Sequence, residues 1–170
     1  LQRLRQLVER ELKRARIVGM SSPGRQTRLS EDLPPLLQVL QQLYPQASIR
    51  AQFDHSAVLP QDRDDMLELL GNLLDNACKY AAGEILLGIR HDDKEWLISV
   101  CDQGPGIAAE ARQQLLLRGT RLDEAGAGGS GLGLAMVSDI VSSYGGSLQL
   151  QVNQPQGLCV IVTLPATAGH

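Results

Sequence analysis

The stretch from Glu68 to Lys79 carries polar side chains whose types and spacing suit the binding of a metal ion and a phosphate. Glu68, Asn72, Asn76 and Lys79 follow one another at steps of four, four and three residues, which places them on one face of a helix. Carboxylate and amide oxygens suit a hard cation such as Mg²⁺, and an ammonium group suits a phosphate. A solvated face of an amphipathic helix is the alternative, although Asn is a poor helix former. On this segment alone both interpretations stay open.

A second candidate is the segment from Asp102 to Ile107, which directly follows an apolar run of strand type. Gly104 and Gly106 flank a proline there, and this composition favours a sharp turn in which the backbone comes close to a ligand. A carboxylate at the end of a strand, such as that of Asp102, can accept a hydrogen bond from the exocyclic amine of adenine. A plain strand-to-helix turn would explain the same residues, so this motif alone also leaves two possibilities.

A third candidate is the glycine-rich segment of residues 126–134, which leads into an amphipathic helix. Glycine-rich backbone before a helix N-terminus presents N–H groups to phosphate oxygens. The segment lacks the preceding strand of a dinucleotide-binding fingerprint and the Gly-Lys-Ser/Thr of a Walker loop. A flexible linker is the alternative. Together the three segments offer metal and phosphate ligands, an adenine acceptor and a glycine lid, with no catalytic nucleophile.

The composition limits the kind of domain that holds these residues. The chain has 170 residues, of which 43% are hydrophobic and only 3% aromatic, so we expect one globular domain with an aliphatic core. So few rings make a poor base-stacking platform for nucleic acid. The net charge of −3 provides no general attraction to nucleic acid or to anionic lipid. We therefore expect neither nucleic acid nor direct membrane contact among the partners of this chain.

The cysteines and histidines give no sign of a metal centre. The three cysteines form no CxxC pair: Cys78, Cys101 and Cys159. Their odd number predicts buried thiols in a reducing compartment, and neither a disulfide set nor a zinc site. The three histidines stand in polar surroundings that predict surface positions: His55, His91 and His170. No run reaches the roughly 18 apolar residues of a membrane span. The chain opens without Met, in the middle of a helical pattern, so we expect a fragment of a longer protein.

Hydrophobic periodicity predicts an α+β fold, a two-layer sandwich with an antiparallel-rich mixed sheet and about three helices on one face. An amphipathic helix over residues 1–18 and a linker over residues 19–26 precede it. The predicted strands cover residues 27–29, 48–53, 84–90, 96–101, 147–152 and 158–164. The predicted helices cover residues 33–43, with Asp32 as N-cap, 62–82, a short stretch at 108–117, and 132–144. Residues 122–130 are predicted to form a loop.

At the three motifs the chain resembles the catalytic ATP-binding domain of bacterial sensor histidine kinases, in the superfamily that also includes gyrase, Hsp90 and MutL. Residues 68–80 resemble that family's N box, residues 102–107 its first glycine box and residues 129–134 its second. The N box and the first glycine box are especially similar to those of PhoQ-like kinases. The resemblance implies the Bergerat-type ATP-binding fold, a catalytic domain over residues 27–166 and a tail at 167–170. It also implies that residues 1–18 are the second helix of a dimerization and phosphoacceptor hairpin.

The resemblance assigns roles residue by residue. It implies that Asn72 and Asn76 bind Mg²⁺, that Asn76 and Lys79 contact phosphate, and that Tyr80 packs near the nucleotide. Asp102 would bind the adenine amine. The two glycine boxes would shape the pocket and form a backbone cradle for phosphate: Gly104, Gly106 and Ile107 in the first, and Gly129, Ser130, Gly131, Leu132, Gly133 and Leu134 in the second.

The resemblance also names three candidate catalytic residues. Arg118 or Arg121 matches the lid position of an arginine that assists γ-phosphate transfer, and Glu68 stands where ATP-hydrolysing relatives place a water-activating carboxylate. The family's lid usually carries a phenylalanine, whereas residues 115–119 contain none, so we expect a leucine in its place.

The implied function is protein histidine kinase activity with ATP and Mg²⁺. The γ-phosphate would pass to a histidine on a separate helical hairpin of the parent protein, and then to a response-regulator aspartate. None of the three histidines stands in a phosphoacceptor context, so we expect no autophosphorylation of this fragment alone. The parent is expected to be a homodimer in the bacterial inner membrane, with this part in the cytoplasm. An ATP-hydrolysing clamp of the same superfamily and a non-catalytic nucleotide-sensing scaffold are the alternatives.

Overall fold

The structure is a computed structural model that describes residues 26–80, 83–104, 132–152 and 157–167. The predicted helices over residues 1–18 and 108–117, residues 19–25 of the predicted linker and the loop of residues 122–130 lie outside these ranges, whereas Gln26, the last predicted linker residue, belongs to a strand. Among the described residues there are seven strands and three helices. In chain order they are β1 (Gln26–Arg28), α1 (Leu29–Leu43), β2 (Ser48–Gln52), β3 (Val58–Asp62), α2 (Arg63–Tyr80), β4 (Glu84–His91), β5 (Glu95–Cys101), α3 (Leu132–Ser143), β6 (Ser147–Val152) and β7 (Leu158–Pro165).

Five of the strands form a mixed sheet in the order β2-β4-β5-β7-β6. β2 runs parallel to β4, and the other three pairings are antiparallel. β1 and β3 form a separate antiparallel pair. The parallel pair is possible because α2 lies in the connection between β2 and β4, and parallel strands need a long crossover. The predicted α+β fold with a mixed sheet is confirmed.

The core lies between the helices and one face of the five-stranded sheet. Alternate residues of the central strands are buried on that face, including Leu87, Ile98 and Val162, each with no exposed surface. The helices supply mostly leucines, such as Leu70 and Leu40. An aliphatic core was predicted from the shortage of aromatic residues, and this prediction is confirmed. Within the described residues, no helix combines the length and apolarity that a membrane crossing requires.

The start of α1 differs from the prediction. The helix begins at Leu29, and Asp32 lies in its first turn instead of at its N-cap. The Asp32 Oδ2 atom accepts a hydrogen bond from the backbone N–H of Arg28 at 2.8 Å, and its Oδ1 atom pairs with Arg63 Nε at 2.7 Å. The carboxylate therefore reaches backwards to the helix start and sideways to α2, a tertiary contact that the local sequence could not reveal.

Strand β3 was missed in the sequence because Pro60 and the polar Gln61 and Asp62 interrupt its apolar pattern. Asp62 ends this strand and caps α2, since its Oδ2 atom accepts hydrogen bonds from the backbone N–H groups of Asp64 and Asp65 at 3.0 and 3.2 Å. This is the arrangement of an N-cap aspartate. The acidic start predicted for α2 is thus confirmed.

The prediction of three unpaired thiols is wrong for two of them. Cys101 and Cys159 form a disulfide, and Cys78 is a buried free thiol. The two bonded residues lie 58 positions apart in sequence and directly opposite each other on β5 and β7. Their proximity depends on the register of strands that are not consecutive in the chain, so no spacing rule could find it. Histidines 55 and 91 are exposed as predicted, and His170 lies outside the described residues.

Candidate nucleotide-binding site

The polar side chains predicted to share one face of α2 do so. Glu68, Asn72, Asn76 and Lys79 are all half-buried, whereas the opposite face of the helix is fully buried in the core. A solvated helix face would leave long polar side chains mostly exposed. The stripe is therefore partly shielded from solvent, unlike a fully solvated helix face.

Asn76 offers the clearest sign of a ligand along this stripe. Its side-chain Nδ2 atom is buried and has no hydrogen-bond partner among the described residues. A buried amide donor without an acceptor costs roughly 1–3 kcal/mol, so such groups are usually satisfied by a ligand or water. Nδ2 is a donor, which fits a phosphate oxygen, and the amide oxygen of the same side chain fits a hard cation. Asn76 can thus serve both components of a metal–phosphate complex.

Lys79 has a protein partner that was not predicted from the sequence. Its Nζ atom lies 3.1 Å from Asp75 Oδ2 one helical turn earlier, and the hydroxyl of Tyr44 donates to the other oxygen of Asp75. Asp75 is buried, and its hydrogen bond with Tyr44 ties the end of α1 to α2. An ammonium group carries three donors, so Lys79 can remain paired with Asp75 and still contact a phosphate. Asp75 orients Lys79; the only sequence signal for this was the i, i+4 spacing.

Asp102 follows β5 and is buried, with 7% of its surface exposed. Its Oδ1 atom accepts hydrogen bonds from the backbone N–H of Gly104 at 2.9 Å and from that of Leu158 at 3.3 Å. Burial raises the pKa of this carboxyl group, and the two backbone hydrogen bonds oppose the shift. A carboxylate offers about four acceptor positions, so Asp102 has acceptor capacity beyond these two bonds.

Gly157 was missed as a functional residue, although it shapes the surroundings of Asp102. Its φ of +115° lies in the region that favours glycine, and a Cβ atom there would stand 2.0 Å from the carbonyl oxygen of Asp102. Only glycine allows this close approach. A glycine closing a hairpin loop was the available signal, but the sequence does not show that the loop packs against Asp102.

The C-terminal end of α2 and the end of β5 lie side by side. A Cβ atom on Gly83, three residues after α2, would stand 3.0 Å from the side-chain oxygen of Gln103. Helix α2 also packs against α3 and β5. The structure therefore brings the predicted phosphate-binding end of α2 to the same edge of the domain as Asp102.

The remaining predicted residues are only partly covered. Tyr80 ends α2, and Leu132 and Gly133 begin α3; nothing further is described of them. Leu134 is 5% exposed and belongs to the core, so only its backbone could face a ligand. The others lie outside the described residues: Gly106, Ile107, Arg118, Arg121, Gly129, Ser130 and Gly131.

Comparison with known proteins identifies the family. The model of the histidine kinase-, DNA gyrase B- and HSP90-like ATPases matches residues 61–168. The chain belongs to this family. That range contains both the α2 stripe and Asp102, so the site described above lies within the ATPase domain that defines the family.

Among the curated relatives of this ATPase domain are two sensor kinases of Pseudomonas aeruginosa. The chain is 42% identical to the sensor protein kinase CarS over 97% of its own length, and 33% identical to the two-component sensor PhoQ over 94%. It spans only 37% and 36% of these proteins. The similarity to PhoQ-like kinases predicted from the motifs is confirmed.

Solved structures support the fold. The mycobacterial sensor histidine kinase MprB aligns with a TM-score of 0.72 at 24% identity, covering 86% of this chain and 99% of that one. Full-length ShkA, solved in complex with AMPPNP, aligns with a TM-score of 0.66 at 24% identity, covering 94% of this chain and 35% of that one. At these identities the likeness establishes the fold alone.

Proposed function

We propose that this ATPase domain binds ATP with Mg²⁺ and donates the γ-phosphate to a histidine on a separate helical hairpin of its parent kinase. The observation that carries the proposal is the buried carboxyl group of Asp102, held by backbone N–H groups of Gly104 and Leu158. Burying a carboxyl group is unfavourable unless hydrogen bonds compensate for lost water. An adenine amine directed at Asp102 would add a hydrogen bond that offsets this cost when the nucleotide binds.

The α2 stripe would hold the triphosphate end of the nucleotide. The amide oxygens of Asn72 and Asn76 are suited to Mg²⁺, which supplies charge neutralisation to the phosphates when it is bound. The buried Asn76 Nδ2 atom would donate to a phosphate oxygen. Lys79, oriented by Asp75 at 3.1 Å, would add a second positive charge. The backbone cradle of residues 129–134 and an arginine, Arg118 or Arg121, would complete the phosphate site.

Transfer would need positioning more than covalent help from the protein. The bond between the γ-phosphorus and the β,γ-bridging oxygen breaks, a phosphorus–nitrogen bond forms to the imidazole of the acceptor, and ADP leaves. The acceptor belongs to another segment of a dimeric parent kinase, from which the phosphate passes to a response-regulator aspartate. We place this domain on the cytoplasmic side of the inner membrane, as part of a parent kinase anchored there.

The deciding experiment supplies the phosphoacceptor hairpin of the parent protein as a separate chain. We expect label from [γ-³²P]ATP to appear on the hairpin in the presence of this domain and Mg²⁺, and none on the domain alone. Asn72→Asp should sharply reduce transfer, because the added negative charge repels the anionic triphosphate even though a carboxylate can still bind Mg²⁺. Gln42→Glu is the matched control, since it makes the same amide-to-carboxylate change at an exposed position of α1. Label on the isolated domain would refute the proposal.

Glu68 is the residue that supports a second candidate function, an ATP-hydrolysing clamp. It is half-buried and lies one helical turn before Asn72, where it could activate water. Steady hydrolysis without a hairpin, lost in Glu68→Gln, would favour this alternative. A third possibility, a nucleotide-sensing scaffold without catalysis, would gain support if Asn72→Asp left phosphotransfer in the parent protein intact.

A further inference from the structure

The disulfide between Cys101 and Cys159 lies at the same edge of the domain as the candidate nucleotide site. Cys101 is the last residue of β5, and Cys159 is the second residue of β7, directly opposite. Both are half-buried, while their neighbours Val100 and Val160 are buried in the core. Because side chains alternate along a strand, the two sulfur atoms lie on the sheet face turned away from the helices, where a reductant can approach.

The disulfide and the hydrogen bonds of Asp102 join the same two strand ends. Asp102 follows Cys101, and Leu158 precedes Cys159. The backbone N–H of Asp102 donates to the carbonyl of Leu158 at 2.9 Å, and the N–H of Leu158 donates to the Asp102 carboxylate at 3.3 Å. Any change in how firmly these strand ends are held together therefore acts on Asp102 directly.

Cys78 provides an internal contrast. It is buried and unpaired, and burial, with a smaller contribution from the charge of Asp75, raises the pKa of its thiol to about 12. Since the thiolate is the reactive form, Cys78 is inert at neutral pH. Thiol–disulfide chemistry of the described residues should thus be confined to the pair on β5 and β7.

We propose that Cys101 and Cys159 form a redox modification site whose oxidised state increases the affinity of the domain for adenine nucleotides. The inference rests on the proposed function, because it takes Asp102 as the adenine acceptor. With the disulfide formed, the strand ends and Asp102 are held in the binding geometry before the ligand arrives, which lowers the entropic cost of binding. With the disulfide reduced, hydrogen bonds and core packing hold them without the covalent link.

The reductant belongs to the class of small or protein dithiols. Its thiolate attacks one sulfur of the pair, forms a mixed disulfide and releases one cysteine thiolate. Its second thiol then closes the reductant's own disulfide and releases the other cysteine. Two electrons, and after protonation two protons, pass to the protein, and an oxidised dithiol leaves. A disulfide oxidant reverses the reaction with the same balance.

The test measures the affinity of the 170-residue chain for a fluorescent ATP analogue in its oxidised and dithiothreitol-reduced forms, with the redox state verified by alkylation and mass spectrometry. We expect at least about fivefold tighter binding in the oxidised form, the lower end of ordinary coupling between sites. Cys101→Ser and Cys159→Ser should bind like the reduced wild type under both conditions. Cys78→Ala is the matched control and should respond like the wild type.

A reciprocal measurement needs no variant. Saturating nucleotide should raise the ratio of reduced to oxidised dithiothreitol required for half-reduction of the disulfide, by the same factor as the affinity difference. Equal affinities in two verified redox states would overturn the redox proposal and leave nucleotide binding intact. A folded chain that binds the analogue in neither state would overturn both the proposed function and the redox proposal.

Discussion

Replacing Asp102 by Asn tests the adenine assignment with little disturbance of the fold. The amide oxygen of the new side chain can still accept the hydrogen bonds from Gly104 at 2.9 Å and Leu158 at 3.3 Å. What changes is the second oxygen, which becomes a donating NH₂ group. This NH₂ group would face the adenine amine, so that two donors would meet and the charge-assisted hydrogen bond would be lost.

The expected magnitude follows from this single exchange. A hydrogen bond to a charged group contributes about 1.5–3 kcal/mol, and about 1.4 kcal/mol corresponds to a tenfold change in affinity. We therefore expect Asp102→Asn to weaken ATP binding by about 10- to 100-fold. The same variant should bind inosine triphosphate more tightly than the wild type does, because the amide introduced by the exchange can donate to the 6-oxo group of hypoxanthine.

Isothermal titration of ATP and inosine triphosphate against both proteins measures this reversal. Unfolding curves serve as the control, and the variant should keep the stability of the wild type to within about 1 kcal/mol, since the hydrogen bonds from Gly104 and Leu158 persist. An equal loss of affinity for both nucleotides would refute the reasoning, because it would show that Asp102 acts on the shape of the pocket and not on the amine.

The raised pKa of Asp102 adds a pH dependence to the same comparison. Burial favours the protonated acid, so the ionised acceptor is fully present only above the raised pKa, and ATP affinity should fall as the pH drops through it. For folding the sign is opposite: the native state binds more protons than the unfolded chain between the ordinary value of 3.8 and the raised pKa, so stability decreases as the pH rises through that window. Subtracting the profile of Asp102→Asn removes the titration of the nucleotide itself. Parallel profiles for both proteins would contradict the assignment.

Three further predictions concern stability, each measured by denaturant unfolding. Gly157→Ala should lower the free energy of unfolding by on the order of 3 kcal/mol, because its Cβ atom would meet the backbone at 2.0 Å. Gly145→Ala should lower it by only about 1 kcal/mol, because this residue has a φ of +71° but open space around it. Similar costs for the two variants would contradict the steric argument. Reducing the disulfide between Cys101 and Cys159 should lower the free energy of unfolding by about 4 kcal/mol, since it opens a loop of 58 residues, and a change below about 1 kcal/mol would contradict the loop-entropy estimate. Tyr144→Phe should cost about 1–3 kcal/mol, because its hydroxyl donates to the carboxylate of Asp65 and accepts the backbone N–H of Asp62 at 3.1 Å; unchanged stability would show that these bonds contribute nothing.

Much of the site was predictable because its signals are local. The steps between Glu68 and Lys79 place these side chains on one helix face whatever the rest of the chain does, and the structure finds them half-buried as a group. The strands before and after residues 92–94 were predicted in the same way. The Asp92 carboxylate closes their turn by accepting the N–H groups of Lys94 and Glu95 at 2.8 and 2.9 Å. Periodicity and turn chemistry act over a few residues and survive in the sequence.

Most of the contacts that were missed join distant parts of the chain. Asp75 was invisible as the partner of Tyr44 because these residues meet only when α1 packs on α2. Strand β3 was missed because its pairing with β1 compensates for a proline-containing, polar sequence that would otherwise be a poor strand. In each case a tertiary contact outweighed a weak local preference.

The sequence by itself determined the described helices and most of the described strands, the aliphatic core, and the order of the proposed phosphate-binding helix face and the proposed adenine-acceptor turn. These follow from periodicity and residue chemistry within short windows. Only the tertiary structure decided that Gly157 closes on the backbone of Asp102, that Tyr44 holds Asp75 beside Lys79, and that Cys101 meets Cys159 beside the site. The physical reason is that strand register and helix packing are set by the burial of the whole core, which no short window of sequence contains.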